Sequence, residues 1–401
     1  MMRLKRKINL FSPTPKVPLE AKTSPEAVII LLLLVIAFAS CLDMRMFQVY
    51  FYQSVGYLLN VFTIAVCFGF YILRHKKYTY KDIKLIAFAL FLIGYCVVSA
   101  LITNGGMRYV GTVFNTVIIV IILRDSNISF RAVRNTCFAI VAIMLCIAMG
   151  SGGYYNNQFA NDSINSNYIA QLSVAGMVYV NYFLCFINHS KPHRIEAARI
   201  IIDAISFYII WECQSRGSLL AIVSFVGMFY FLPKKLLKKK NFITVMSGVI
   251  SVFGVLMTYL YLIIVVPTNA LLMGKSTLTR NKLWTYFWEN VGNNRLKFFI
   301  GYGTNDSMRD VFGYGFHNIS LGIWYDIGLI GFLLFTCFIL WNMREVYKGN
   351  RELNMFTIYG MIGFMTFQIS DYFAITFTGP LVIWNYIMLG FIAMAQKRGD
   401  R

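Results

Sequence analysis

The sequence predicts an all-α integral membrane protein of about twelve transmembrane helices, and three observations carry that reading. Of its 401 residues 58% are hydrophobic and only 13% charged, far from the mix of a soluble globular domain. Apolar runs of about twenty residues, long enough to cross a bilayer, recur from Ala27 almost to the C-terminus and leave no stretch able to bury a separate soluble core. The basic residues fall on alternate connections, as they do in a chain that threads back and forth through a membrane.

Taken in order, the apolar windows place spans at roughly 26–42, 55–73, 84–102, 107–123, 134–150 and 167–187. The second half gives roughly 198–213, 217–232, 242–266, 319–341, 354–370 and 379–396. The basic segment MRLKRK ahead of the first run resembles the start of a signal peptide. About twenty-five residues with four prolines precede that run, however, and no small-residue cleavage site follows it. Residues 1–25 are therefore expected to be a cytoplasmic tail, 26–396 one polytopic membrane domain, and 397–401 a second cytoplasmic tail. All eight cysteines lie in apolar runs without a C-x-x-C or Cys/His grouping, so they are expected to be small core residues rather than disulfide partners or zinc ligands.

An even number of spans returns both termini to one side. That side then receives 28 of the 37 Lys and Arg residues, and the other side 9, so the positive-inside rule makes both termini cytoplasmic. The net charge of +20 reflects this orientation and anionic lipid, and makes no case for nucleic acid. Residues 197–232 test the topology. They are too long for one ordinary span and short for two, yet a single helix would carry PKKLLKKK to the wrong side. A tight hairpin is expected, turning at Gln214-Ser215-Arg216-Gly217, with Arg216 near the outer membrane boundary.

Three outward segments gather polar residues. GSGGYYNNQFANDSINSN, between the fifth and sixth spans, offers amides and aromatic faces of the kind a sugar-binding surface uses, with Asn165 as a candidate contact; an ordinary polar loop explains it equally well. In the hairpin WECQSRG, an arginine near hydrocarbon is a functional candidate. Its alternative role is an ion pair with Glu212, four residues earlier. Asp203, deeper in the same span, has Arg199 one turn before it and reads as an ion pair. The longest loop, about 267–318, carries Leu283, Trp284, Phe287, Trp288 and Val291 at helical spacing. This predicts an amphipathic helix in the outer interface with its aromatics as anchors, and Arg280 near its N-terminal end. The loop closes on GYGFHNISLGIWYDIGLIG. Here His317 is the only histidine of the four that falls on the outer side, and Asn318, Ser320 and Asp326 follow it along an otherwise apolar span.

The turn SRGSLLAI, then TRNKLW and FFIGYG in the long outer loop, then FHNISLGIWYDIGLIG, in that order and with that topology over about Ser166 to Phe332, resemble the bacterial O-antigen polymerase and ligase superfamily. The resemblance implies a GT-C-like integral membrane glycosyltransferase acting on sugars carried by undecaprenyl pyrophosphate. It implies that the family's hairpin arginine is Arg216, its loop arginine Arg280 and its His-Asn pair His317 and Asn318; Asp326 matches an acidic position before a Gly-x-x-Gly, and the first five spans carry no motif of the family.

The chemistry that follows is an inverting, metal-independent transfer from undecaprenyl pyrophosphate, without a cofactor. Arg216 and Arg280 would hold the pyrophosphate, because a guanidinium grips phosphate oxygens bidentately. His317 would take the proton of the attacking hydroxyl or, protonated, bind a phosphate oxygen. Asn318, Asn165 and Asp326 would contact substrate, Asp326 by neutralising or orienting a cationic neighbour. A polymerase joins the growing glycan to a lipid-linked repeat unit on the outer face of the cytoplasmic membrane, in company with a flippase and a chain-length regulator. A ligase instead moves the glycan to lipid A core. A flippase for lipid-linked oligosaccharide is the rival from another class. Such transporters are built from two related halves, and no internal repeat is visible here.

Overall fold

A computed structural model of the chain describes residues 79–105, 108–125, 128–150, 154–155, 158–159, 166–184, 192–231, 275–303, 318–343 and 387–394. Shorter pieces lie between 29 and 35, 62 and 72, and 242 and 263. Among these residues the architecture is helical, apart from one small hairpin. The expected spans at 26–42, 55–73 and 242–266 are helical at their described positions, and the span at 354–370 lies outside the described residues.

Helix α1, Tyr80–Ile102, opens with a reciprocal capping box in which Thr79 and Asp82 each bond the other's backbone amide. Leu85, Ala89, Leu92, Cys96 and Ala100 fall three or four residues apart on its buried stripe, while Leu90, Phe91, Val98 and Leu101 face outward. The chain turns at Thr103 and Asn104, the latter with a left-handed φ of 50°, into α2, Arg108–Asp125. Arg124 near the end of α2 pairs with Asp82 near the start of α1 at 3.6 Å, which fixes the two helices as an antiparallel hairpin.

Helices α3 (Phe130–Gly150), α4 (Ser166–Leu184), α5 (Pro192–Glu212) and α6 (Arg216–Phe231) pack in succession, with α6 also against α4. Between α3 and α4 the polar loop contains a short antiparallel hairpin, Tyr154–Tyr155 (β1) with Gln158–Phe159 (β2). The second strand rests on α4 and α5. Residues 387–394 form a helical piece buried on every side. The Leu123 side chain of α2 occupies the space beside Gly390, and the Phe391 ring stacks on Tyr182 of α4 with centroids 6.4 Å apart. This piece therefore joins the first hairpin to the α3–α6 group.

The long outer loop folds into α7, Lys275–Asn293, and the short α8, Arg295–Ile300, before the chain enters α9, Ile319–Met343. Two helices, Tyr80–Ile102 and Ser320–Asn342, are long and apolar enough to cross a membrane by length and composition. Ile169–Leu184 and Gly217–Gly227 are apolar but shorter. α5 has the length but carries Arg194, Glu196, Arg199 and Asp203 in its first half. Cys96, Cys137 and Cys213 are buried free thiols, and Cys337 is an exposed one.

Candidate functional site

The expected hairpin in 197–232 is present. α5 closes with the amide of Cys213 on the carbonyl of Ile209 at 3.0 Å and that of Gln214 on Trp211 at 2.9 Å. Gln214 takes a left-handed φ of 52°, the usual device for ending a helix abruptly. Ser215 then starts the next helix, its carbonyl accepting from the amide of Leu219 at 2.9 Å and its buried hydroxyl bonding Ser218 at 3.1 Å. Arg216 is consequently the first residue of α6, at an end whose unpaired amides already favour an anion. The turn places Glu212 and Arg216 on different helices, so the shared helical face assumed for their ion pair does not exist.

Asp203 gains a partner that spacing along α5 does not reveal. Its Oδ1 accepts from Asn181 Nδ2 of α4 at 3.0 Å, with Arg199 buried one turn before it and close enough to act on it electrostatically. Asp203 is thus acted on from both its own helix and α4.

In α7 the expected stripe is helical but does not serve as a set of interface anchors. Leu283, Phe287 and Val291 are buried. Phe287 packs on Trp324 and Tyr325 of α9 with ring centroids 5.7 and 6.5 Å away, and Trp288 lies 6.0 Å from Trp324. Burial against α9 satisfies the apolar face that sequence alone assigned to lipid, and leaves Lys282 and Glu289 outward. Arg280 lies one turn before Leu283 on the same helix.

The segment FFIGYG locks this unit to α1 and α9. Asn294 caps α8 by accepting from the amide of Lys297 at 3.0 Å, and Gly301 ends it with φ 93°. Tyr302 and Gly303 then run beside α9, their amides donating to the carbonyls of Tyr325 at 2.7 Å and Asp326 at 3.1 Å. The Tyr302 ring stacks on Tyr325 with centroids 4.5 Å apart, and its hydroxyl donates to the carbonyl of Asn290 in α7. The indole of Trp324 donates to the carbonyl of Phe298 at 3.1 Å, and Ser99 of α1 donates to that of Ile300 at 2.6 Å.

These bonds surround a break that the sequence reading, which takes 319–341 as one continuous span, does not anticipate. Gly328 has φ 73° and ψ 173°, which divides α9 into two helical pieces. A break in an apolar helix releases carbonyls that must find other partners. Tyr325 and Asp326 find them in Tyr302 and Gly303, and Ile327 in the hydroxyl of Tyr95 at 2.9 Å. Side chains are excluded from the crossing: a Cβ on Gly301 would strike the carbonyl of Asp326, and one on Gly328 the carbonyl of Phe299. The glycines of GYG and of Asp-Ile-Gly were the signal in the sequence, since positive φ and close backbone approach both demand them.

Asn318 caps α9, its side-chain oxygen accepting from the amide of Leu321 at 3.1 Å and its carbonyl from Gly322 at 3.0 Å. It is buried, so its oxygen has a structural partner before any substrate arrives. Among the described residues no cation is paired with Asp326. His317 and Asn165 lie outside the described residues, as do the side chains of Arg216 and Arg280. What the fold does bring together is the helix bearing Arg280 and the middle of the first piece of α9, through Phe287 and Trp288 on Trp324 and Tyr325.

No protein-family model, no curated protein and no solved structure matches the chain.

Proposed function

We propose that the chain is a multi-pass membrane glycosyltransferase of the polysaccharide-polymerase kind. It transfers a growing glycan from undecaprenyl pyrophosphate to a sugar hydroxyl of a lipid-linked repeat unit, at the outer face of a bacterial cytoplasmic membrane. Arg216 and Arg280 stabilise the charge that develops on the departing pyrophosphate, and His317 receives the proton of the attacking hydroxyl. Lost donors of this kind cost on the order of 3 kcal/mol of transition-state stabilisation each.

The observation that carries this reading is the packing of α7 on α9 through Phe287, Trp324 and Tyr325. Two parts of the ordered motif set, TRNKLW and FHNISLGIWYDIGLIG, lie far apart in the chain and belong to elements that touch. The hairpin at 213–215 is in keeping with the same topology, since it keeps PKKLLKKK on the basic side. Membrane insertion is supported by the outward faces of α1 and α5. On α5, Ile200, Ile201, Ile205, Phe207, Tyr208 and Trp211 are all exposed, an apolar group of the kind that lipid would cover.

The test is a surface-polysaccharide gel from a deletion strain complemented with wild type, Arg216→Ala, Arg280→Ala and His317→Ala. Core carrying a single repeat unit in the deletion strain and in each variant is the expected result. Bare core with lipid-linked polymer would assign a ligase instead. Unchanged polysaccharide in all three variants would sink the assignment.

A further inference from the structure

Helix α8 is open on one side, yet it leaves none of its terminal carbonyls to water. The end of a helix has four carbonyls without partners of its own, and on a wet surface solvent takes most of them. Here those of Lys297, Phe298, Phe299 and Ile300 accept from the amide of Gly301 at 2.8 Å, the Trp324 indole at 3.1 Å, the Tyr95 hydroxyl at 3.0 Å and the Ser99 hydroxyl at 2.6 Å. On the open side Leu296 is 62% and Phe299 47% exposed, three residues apart on one helical face.

The partners also set a depth. Tyr95 and Ser99 precede Ile102, the end of α1, by seven and three residues, so they lie about 10 and 5 Å below it. The outward face of α1 is apolar as far as Leu101 and Ile102, which places that end at the edge of the hydrocarbon. Gly303 lies against Thr103 and Gly105 at the outer turn, where a Cβ would collide with both. The chain therefore climbs from the level of Tyr95 at Phe299, past Ser99 at Ile300, to the turn after α1 at Gly303. Ile327, which shares the Tyr95 hydroxyl, is itself eight residues into α9.

We propose that residues 295–303 re-enter the outer leaflet of the membrane, with Leu296 and Phe299 against lipid acyl chains. In hydrocarbon each backbone carbonyl needs a partner from protein, and irregular backbone persists at that depth only where it packs on protein. The four capped carbonyls and the GYG crossing meet both conditions. The cations of the segment are compatible with this position. Lys297 lies over the Tyr302 ring at 4.7 Å, and Arg295 opens α8 with a side chain long enough to reach headgroup phosphates. The inference rests on the multi-pass membrane reading above, and it assigns lipid contact in the long loop to α8 in place of the aromatics of α7.

The full-length chain in nanodiscs tests it, with a fluorescent amino acid placed singly at Leu296, Phe299, Phe91 or Glu289. Phe91 is on the exposed face of α1 and Glu289 on the outward face of α7. Two quenchers are compared, a phosphatidylcholine brominated on its acyl chains and iodide in the buffer. The bromolipid is expected to remove most of the fluorescence at Leu296 and Phe299, as at Phe91, and iodide little of it, with the reverse at Glu289. Leu296, the more exposed of the two, decides the outcome if a label at Phe299 disturbs its contact with Phe298. Weak bromolipid quenching at Leu296 and Phe299 while Phe91 responds overturns the re-entry and leaves the membrane reading standing. Iodide quenching at Phe91 as well removes the membrane reading, and the re-entry with it.

Discussion

The hydroxyl of Tyr95 lies 2.9 Å from the carbonyl of Ile327 and 3.0 Å from that of Phe299, so one phenol in α1 holds both sides of the crossing between FFIGYG and the broken helix. It occupies the place where α9 would otherwise have made its own backbone bond. The break, the loop and the first hairpin are thereby joined through a single side chain.

Tyr95→Phe keeps the ring and removes that donor. Its single proton is shared between a part-buried and an exposed carbonyl, which predicts a loss of about 1 kcal/mol of stability, read as a lower thermal midpoint of the purified protein in detergent. Ser99→Ala, which removes the donor to Ile300, should cost about 1 kcal/mol in the same assay. Midpoints unchanged in both variants would show that water or other groups satisfy these carbonyls.

Glycine substitutions should divide sharply by position. Gly328→Ala forces a side chain into a positive-φ site facing the Phe299 carbonyl, where backbone strain alone is worth about 1–3 kcal/mol and the collision adds to it. Severe loss of folded protein is expected on size-exclusion chromatography. Gly227→Ala, at a helical position with open space around it, should be neutral or gain about 0.5–1 kcal/mol.

Gln214 ends α5 in a conformation that disfavours any residue with a Cβ. Gln214→Gly is expected to raise stability by about 1 kcal/mol, and Gln214→Val to lower it by more, as the branched Cβ fits that region poorly. If the turn also sets the direction of Arg216, the valine variant should lose polymer on the polysaccharide gel beyond its loss of folded protein.

The face that α7 presents to α9 should dominate its energetics. Phe287→Ala opens a cavity between Trp324 and Tyr325 and is expected to cost about 3–5 kcal/mol. Glu289→Ala, on the outward face, should stay within about 0.5 kcal/mol. Equal effects would mean that α7 does not depend on α9 for its position.

Local pattern alone made much of this legible. Hydropathy located α1, α2, α4 and α9 to within a few residues. Charge asymmetry anticipated the turn before Arg216, because only a hairpin keeps PKKLLKKK with the other basic segments. Helical spacing found Leu283, Phe287 and Val291, but it could not say what covers them: a stripe reads alike whether lipid or another helix lies against it, and here it is α9. Spacing likewise suggested that Glu212 could reach Arg216, since periodicity cannot see a turn that interrupts it.

Of the candidate site, the sequence by itself determined the residue types and the side on which orientation by charge would gather them. Hydropathy also marked Asp326 as out of place. Only the tertiary structure decided that the helix around Asp326 is broken, because a break is stable only where another segment supplies the missing bonds. Those donors come from Tyr95, Tyr302 and Gly303, distant in the chain, and no local pattern encodes their meeting with Tyr325, Asp326 and Ile327.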